Sequence, residues 1–255
     1  MLKVRRQVPL APLTTLQIGG VADYFVAVED REELSEAVRY AKEKNLPITI
    51  LGGGSNVLIK DSGLPGLTIH NLISGRREET VGKDVLVTAG AGEDFDALVA
   101  WSVTQGYWGL ENLSHIPGLV GATPIQNVGA YGTEIKDLVT EVETYNLDTE
   151  SIQKFTNQEC QFAYRHSFFK TPTGKNFVIV SVTYRLSTIC SPKLSYPDLE
   201  RRLKETTEPS LEQIRAAIID IRSQKFPDWK KVGTAGSFFK NPLITTAHNL
   251  SLIHI

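Results

Sequence analysis

The stretch LPITILGGGSN, Leu46–Asn56, reads as a short buried strand, Leu46–Leu51, that runs straight into a glycine loop, Gly52–Asn56. Upstream, DYFVAV (Asp23–Val28) reads as another strand. Asp30 then caps a helix, with Glu33 completing a capping box. Leu34, Ala37, Val38 and Ala41 fall on one face of that helix, and Asn45 ends it. Strand, helix, strand and glycine loop make an α/β unit. In Leu51, Gly52, Gly53, Gly54, Ser55, Asn56 and Val57 the glycines let backbone N–H groups approach a phosphate, and the Ser and Asn side chains add donors. The familiar nucleotide fingerprints do not fit. Val57 stands where the third glycine of a dinucleotide-binding loop belongs, and no Gly-Lys-Ser/Thr follows. A phosphate cradle and a plain tight turn both remain open.

Beyond the loop, Asp84–Thr88 reads as a strand and Glu93–Gln105 as a helix with Phe95, Leu98, Val99 and Ser102 on one side. Val139–Leu147 and Phe177–Leu186 read as strands, the latter apolar on both faces and therefore central in its sheet. Ser210–Ser223 reads as a helix with a stripe of Leu211, Ile214, Ile218 and Ile221. Between them lies IPGLVGATPIQNVGAYG, Ile116–Gly132, dense in glycine, small residues and side-chain amides. No packed helix or strand uses such a sequence. It reads as backbone wrapped around a large polyanionic ligand, with Gln126 and Asn127 as donors; an Ω-type loop packed on itself is the alternative.

The bulk properties narrow the class. The 255 residues suffice for a large domain or for two to three small ones, and 41% hydrophobic with 22% charged residues is a globular balance. A net charge of -2 gives no pull toward nucleic acid or an anionic membrane, so local Arg and Lys must hold any anionic ligand. Neither a disulfide framework nor a metal site is expected of Cys160 and Cys190, which read as packed thiols. The first ten residues carry Lys3, Arg5 and Arg6 but no apolar run after them, and no stretch reaches membrane-spanning length. A cytoplasmic protein is the expectation.

Four segments, in this order, carry a family resemblance: ILGGGSNVLI (Ile50–Ile59), GLENLSHIPGLVGATPIQNVGAYG (Gly109–Gly132), CQFAYRHSFFK (Cys160–Lys170) and TAGSFFKNP (Thr234–Pro242). Together they closely resemble the UDP-N-acetylenolpyruvoylglucosamine reductases of bacterial peptidoglycan synthesis, and the resemblance runs from about Leu13 to Pro242. It implies an α+β fold: a vanillyl-alcohol-oxidase-like FAD-binding domain of two lobes, residues 1–71 and 72–226, then a substrate-binding domain begun by residues 227–255. The two glycine regions would hold the FAD pyrophosphate and the flavin edge, through Leu51, Gly52, Gly53, Gly54, Ser55, Asn56 and Val57 and through Ile116, Pro117, Gly121, Ala122, Thr123, Gln126, Asn127, Gly129, Ala130, Tyr131 and Gly132, with Tyr164 and Arg222 beside them.

The family reaction reduces the enol ether of a UDP-sugar, with NADPH as reductant. It requires a group to stabilise a dianionic enolate and a group to protonate it. Arg165, in AYRHS, matches the catalytic arginine, whose guanidinium can grip a carboxylate in a bidentate way; without the motif it reads as a surface loop arginine. Ser237, in AGSFFKNP, matches the proton donor; without the motif it reads as a turn residue, and no triad surrounds it. Tyr196 matches a tyrosine that closes over the UDP moiety in the longer family type, or is a packed loop aromatic. Lys225 matches a substrate phosphate contact and Asn241 another substrate contact. Arg222 and Lys225 also sit where a helix C-terminus favours cations. His166 reads as a partly exposed loop residue.

The family's acidic catalytic partner has no match after Pro242, which leaves the third catalytic position unassigned. The final six residues, Leu250–Ile255, match the translation of a transposon end used in library preparation, so the expectation is a C-terminally incomplete substrate lobe, an adapter-derived tail and impaired turnover. No obligate protein partner is inferred; the partner is the small-molecule UDP-sugar. Two rivals remain. One is a flavin oxidase of the same fold class, which often tethers its flavin to His or Cys; His115 is the histidine near the glycine region. The other is a catalytically inactive fragment.

Overall fold

The computed structural model describes residues 2–241. The chain opens with β1 (Arg5–Pro9), β2 (Val21–Val28), α1 (Arg31–Glu43), β3 (Ile48–Leu51) and β4 (Leu64–Asn71). Their sheet has the order β1-β2-β4-β3, with β1 antiparallel to β2 and β4 parallel to both neighbours. The predicted helix forms because Asp30 accepts the Glu33 N–H and Leu34, Ala37, Val38 and Ala41 bury one face. The capping box is displaced by one residue: the Glu33 carboxylate returns to the N–H of Glu29, at 2.8 Å, and not to that of Asp30. β3 is also not the buried strand expected. It lies at the sheet edge with Ile50 37% exposed, and the interior place belongs to β4, which the sequence reading missed.

The second half follows with β5 (Arg76–Val81), β6 (Asp84–Gly90), α2 (Phe95–Thr104), the two-residue strands β7 (Gly129–Ala130) and β8 (Thr133–Glu134), then β9 (Val139–Asn146), β10 (Ser151–Thr156), β11 (Phe177–Ser187), α3 (Pro197–Arg202) and α4 (Leu211–Lys225). A five-stranded antiparallel sheet has the order β10-β9-β11-β6-β5, so β11 is the central strand its two apolar faces predicted. One of its faces packs with α2 and the glycine-rich passage around Phe95, Leu98, Val120 and Tyr184. Residues of β9 and β11 (Tyr145, Val178, Val180) join α1, β2 and β4 in a shared core, so the two sheets are fastened face to face. Asn71 reinforces the junction by donating to the Ile179 carbonyl at 2.8 Å. The passage after α4 returns to the first lobe, where the Thr234 N–H donates to the Thr15 carbonyl at 2.8 Å. The expected adapter-derived tail, residues 250–255, and residues 242–249 of the expected substrate lobe lie outside the described residues. Among the described residues no helix is long and apolar enough to cross a membrane.

Candidate functional site: a cleft between two glycine segments

The loop after β3 and the passage before β7 meet. A Cβ on Gly53 would stand 2.9 Å from the Gly118 Cα, and one on Gly118 (φ +120) would stand 2.7 Å from the Ser55 Oγ. Asn56 Nδ2 donates to Gln126 Oε1 at 2.8 Å, closing the contact with an amide pair. Gly54 is left-handed (φ +61), with the Leu13 carbonyl 1.9 Å from where a Cβ would be, so no larger residue fits there. Two backbone segments that approach this closely leave a surface made largely of peptide groups.

Buried anchors hold the second segment. The Thr123 hydroxyl donates to the Val120 carbonyl at 2.8 Å and lies 2.8 Å from the Tyr184 hydroxyl. A hydroxyl has one proton, so Tyr184 donates to Thr123. Burial pushes the Tyr184 phenol well above its ordinary pKa. The Thr123 side chain, expected at the cofactor, therefore faces the core, and its N–H also donates to the Val120 carbonyl, at 3.0 Å. The Asn127 side chain, expected as a ligand donor, is also committed elsewhere. Its Nδ2 donates to Glu134 Oε2 and to the Ala163 carbonyl, both at 3.0 Å, and its Oδ1 accepts the Lys136 N–H at 3.1 Å. Only 1% exposed, Asn127 ties the segment to the turn that carries Arg165. Gly129 and Ala130 pair in β7, and Tyr131 and Gly132 make the turn to β8 with φ +47 and +80. Val57 is 39% exposed.

Arg222 joins the segments to α4. Its Nε donates to the His115 carbonyl at 2.9 Å, just ahead of Ile116 and Pro117. Burial lowers the Arg222 pKa, and the charges of Tyr131 and Asp96 with a Tyr131 hydrogen bond pull it back. Tyr131 packs edge-on against Tyr196, ring centroids 5.1 Å apart. Lys225, one turn beyond Arg222, pairs with Asp198, and that hydrogen bond raises the Lys225 pKa and lowers the Asp198 pKa. Tyr131, Tyr196, Arg222 and Lys225 thus form one cluster at the end of α4. Beside it a pocket of about 50 Å³ is lined by Thr15, Ser55, His115, Pro117, Arg222 and Gly236.

Arg165 occupies a tight turn in which Ala163 and His166 exchange backbone hydrogen bonds of 3.0 and 3.1 Å. It is left-handed (φ +54) and half-buried, while His166 is exposed. The Tyr164 ring lies between two cations, the Arg165 guanidinium at 5.9 Å and the Lys240 ammonium at 5.2 Å. The segment that carries Ser237 therefore reaches the turn that carries Arg165. Ser237 follows Gly236, which lines the cleft, and is itself exposed, as is Asn241. Missing from the sequence reading is Glu134. Burial raises its pKa, but Lys136 and Asn127 with the charge of Arg165 bring it below its ordinary value. Asp96 and Arg215 were also missed; they form an ion pair at 2.6 Å across 119 residues, a spacing that leaves no local signal.

A family described as an FAD binding domain matches residues 22–155. The UDP-N-acetylenolpyruvoylglucosamine reductase of Pseudomonas putida is 41% identical over 244 residues, covering 94% of this chain and 71% of its own. That of Neisseria gonorrhoeae is 39% identical over 257 residues, covering 99% and 74%. The chain belongs to the UDP-N-acetylenolpyruvoylglucosamine reductase family. A solved reductase of this family, from Thermus caldophilus, superposes with a TM-score of 0.70 at 28% identity, over 95% of this chain and 76% of that one. A solvent-stable cholesterol oxidase shares the fold with a TM-score of 0.55 at 16% identity, over 73% of this chain and 38% of its own. The α+β flavoprotein fold expected from the four motifs is the fold observed. Both glycine segments of this reductase-family chain, residues 52–56 and 116–132, lie inside the FAD binding domain match.

Proposed function

We propose that this chain uses FAD, held between its two glycine segments, to reduce the enolpyruvyl ether of UDP-N-acetylglucosamine enolpyruvate to UDP-N-acetylmuramate in peptidoglycan precursor synthesis, in the cytoplasm. The carrying observation is the mutual approach of Gly53 and Gly118, closed by Asn56 and Gln126 and bordered by Arg222. Backbone N–H groups of Gly52–Asn56 suit a diphosphate, which needs donors in number and no side chain in the way; in the facing passage Gly121, Ala122 and Thr123 already donate to the Ala91, Leu119 and Val120 carbonyls, so its part is to shape the cleft. Arg222 supplies a fixed positive charge beside Pro117, where electron density on a flavin ring would be stabilised. FAD held there would supply the two-electron hydride chemistry that links NADPH to the vinyl carbon of the substrate.

The chain's own residues do the rest. Lys225 and Tyr196 are assigned to the UDP moiety, the ammonium to phosphate and the ring as cover. Lys225 has Asp198 as its resting partner, so a phosphate would displace or share that carboxylate. Arg165 is assigned to the substrate carboxylate, where it would hold the charge that spreads from the neighbouring carbon. Ser237 is assigned as proton donor to that carbon, and Asn241 as a further substrate contact. A hydroxyl is weakly acidic, yet it suffices against a strongly basic enolate. NADPH oxidation that depends on the enolpyruvyl UDP-sugar tests this reading; oxidation indifferent to the sugar nucleotide contradicts it. Acid precipitation separates it from a covalent flavin oxidase, because non-covalent FAD leaves with the supernatant.

A further inference from the structure

Asp96 projects from the first turn of α2, its side chain 23% exposed. Arg215 grips both its oxygens, Nη1 to Oδ1 at 2.6 Å and Nη2 to Oδ2 at 3.0 Å, in the planar fork that guanidinium and carboxylate favour. The same Oδ1 accepts the N–H of His115 at 2.5 Å. On the other side of His115, its carbonyl accepts Arg222 Nε at 2.9 Å. Arg215 and Arg222 lie two turns apart on α4, so one helix holds both faces of a single residue: directly through Arg222, and through Asp96 from Arg215. His115 is left-handed, φ +61, a conformation that a residue with a side chain keeps only where its surroundings over-determine it. The His115 ring, meanwhile, packs 4.7 Å from that of Trp229. Ile116 and Pro117, the start of the second glycine segment, follow at once.

We infer that Asp96 is a positioning residue for the cofactor: by holding the His115 N–H it fixes the carbonyl that aims the Arg222 guanidinium into the cleft. The inference rests on the reading that FAD occupies that cleft. A carboxylate used only to tie α2 to α4 would need Arg215 alone; the third hydrogen bond, to the N–H of a left-handed residue whose own carbonyl meets Arg222, gives it a second task. Without Asp96 the His115 N–H has no anchor, the left-handed φ of His115 is less firmly held, and the next peptide's carbonyl, the acceptor of Arg222, is less precisely aimed.

The test is FAD titration of the apo form of the full 255-residue chain, followed by flavin fluorescence, with Asp96→Ala, Arg222→Lys and the double variant. Asp96→Ala weakens FAD binding at least about tenfold, the size expected for losing a hydrogen bond to a charged group. In the Arg222→Lys background the same change weakens it by less than about threefold, because the group it aims has already been replaced. Unaltered affinity in Asp96→Ala overturns the inference. So does an equal loss in both backgrounds, which would make Asp96 a brace that acts without Arg222. If Asp96→Ala does not fold, Arg215→Lys takes its place with the same two-background comparison, since it replaces the fork by one contact and leaves Asp96 less firmly set. A wild-type chain that takes up no FAD overturns the cofactor reading itself and this inference with it; a wild type that binds FAD beside an indifferent Asp96→Ala overturns only the inference.

Discussion

Gly54 shows how narrowly single positions are determined. Its φ of +61 already disfavours a side chain by about 1–2 kcal/mol. The Leu13 carbonyl stands 1.9 Å from the absent Cβ. Gly54→Ala is therefore expected to destabilise the fold by more than about 2 kcal/mol in urea unfolding and to weaken FAD uptake. Ser237→Ala is expected to slow oxidation of reduced flavin by the enolpyruvyl sugar nucleotide while sparing reduction by NADPH; equal loss in both half-reactions would remove Ser237 from the proton-donor role. The two thiols differ for a physical reason. Cys160 is buried beside Glu159, and burial first, then that charge, pushes its pKa up to about 12. Cys190 is exposed. A disulfide exchange reagent at pH 8 is expected to label one thiol in the native chain and two after denaturation. At this scale Arg165 and Ser237 were legible only through motifs in register, because neither has a distinctive neighbour along the chain. Asp96 was illegible because its partners, His115 and Arg215, lie 19 and 119 residues away.

Among the elements, those that carry their own stop and start signals were readable. α1, α2 and α4 each have a capping side chain, Asp30, Asp94 or Ser210, and α4 has the full capping box with Gln213. The face formed by Ile214, Ile218 and Ile221 is buried against Tyr131 and Leu199, which fixes where Arg222 and Lys225 emerge. β5 and β10 were missed because they do not alternate: every residue of β5 is exposed, as are five of the six in β10. β1 was missed for the same reason, and its edge position explains that exposure. On β11, the Tyr184 hydroxyl ties the central strand to Thr123 by a hydrogen bond. Tyr184→Phe keeps the ring and leaves the Thr123 oxygen without its donor, so a loss of about 1–2 kcal/mol is expected in chemical unfolding, with weaker FAD binding. A change below about 0.5 kcal/mol would mean the hydroxyl does not anchor the segment.

On the scale of the whole molecule, the two sheets share a core through Tyr145, Val178 and Val180, so the lobes are expected to unfold together. Asn71→Ala deletes the donor to Ile179 and the acceptor for the Ile73 N–H, and is expected to remove about 1–3 kcal/mol without separating the transition into two. Acid sensitivity follows from Asp96. Burial raises its pKa, but the Arg215 hydrogen bonds and charge and the His115 N–H outweigh this, so its folded value lies below the ordinary carboxylate. The stabilisation is therefore complete above the unfolded value of about 4 and is lost as pH falls through the lower folded value. Below about pH 4 the wild type should lose stability more steeply than Asp96→Asn does. The first α/β unit was legible from the strand, helix and glycine-loop order and the α+β flavoprotein fold from the four motifs, whereas the docking of residues 227–236 on Thr15 was not, because nothing in Thr14–Gln17 marks a partner more than 200 residues away.

The most direct measurement is an anaerobic pair of half-reactions on the chain loaded with FAD. NADPH is expected to bleach the bound flavin, and added UDP-N-acetylglucosamine enolpyruvate to restore its colour with UDP-N-acetylmuramate as product. Flavin that stays bleached in the presence of the sugar nucleotide, or that NADPH never bleaches, would contradict the account.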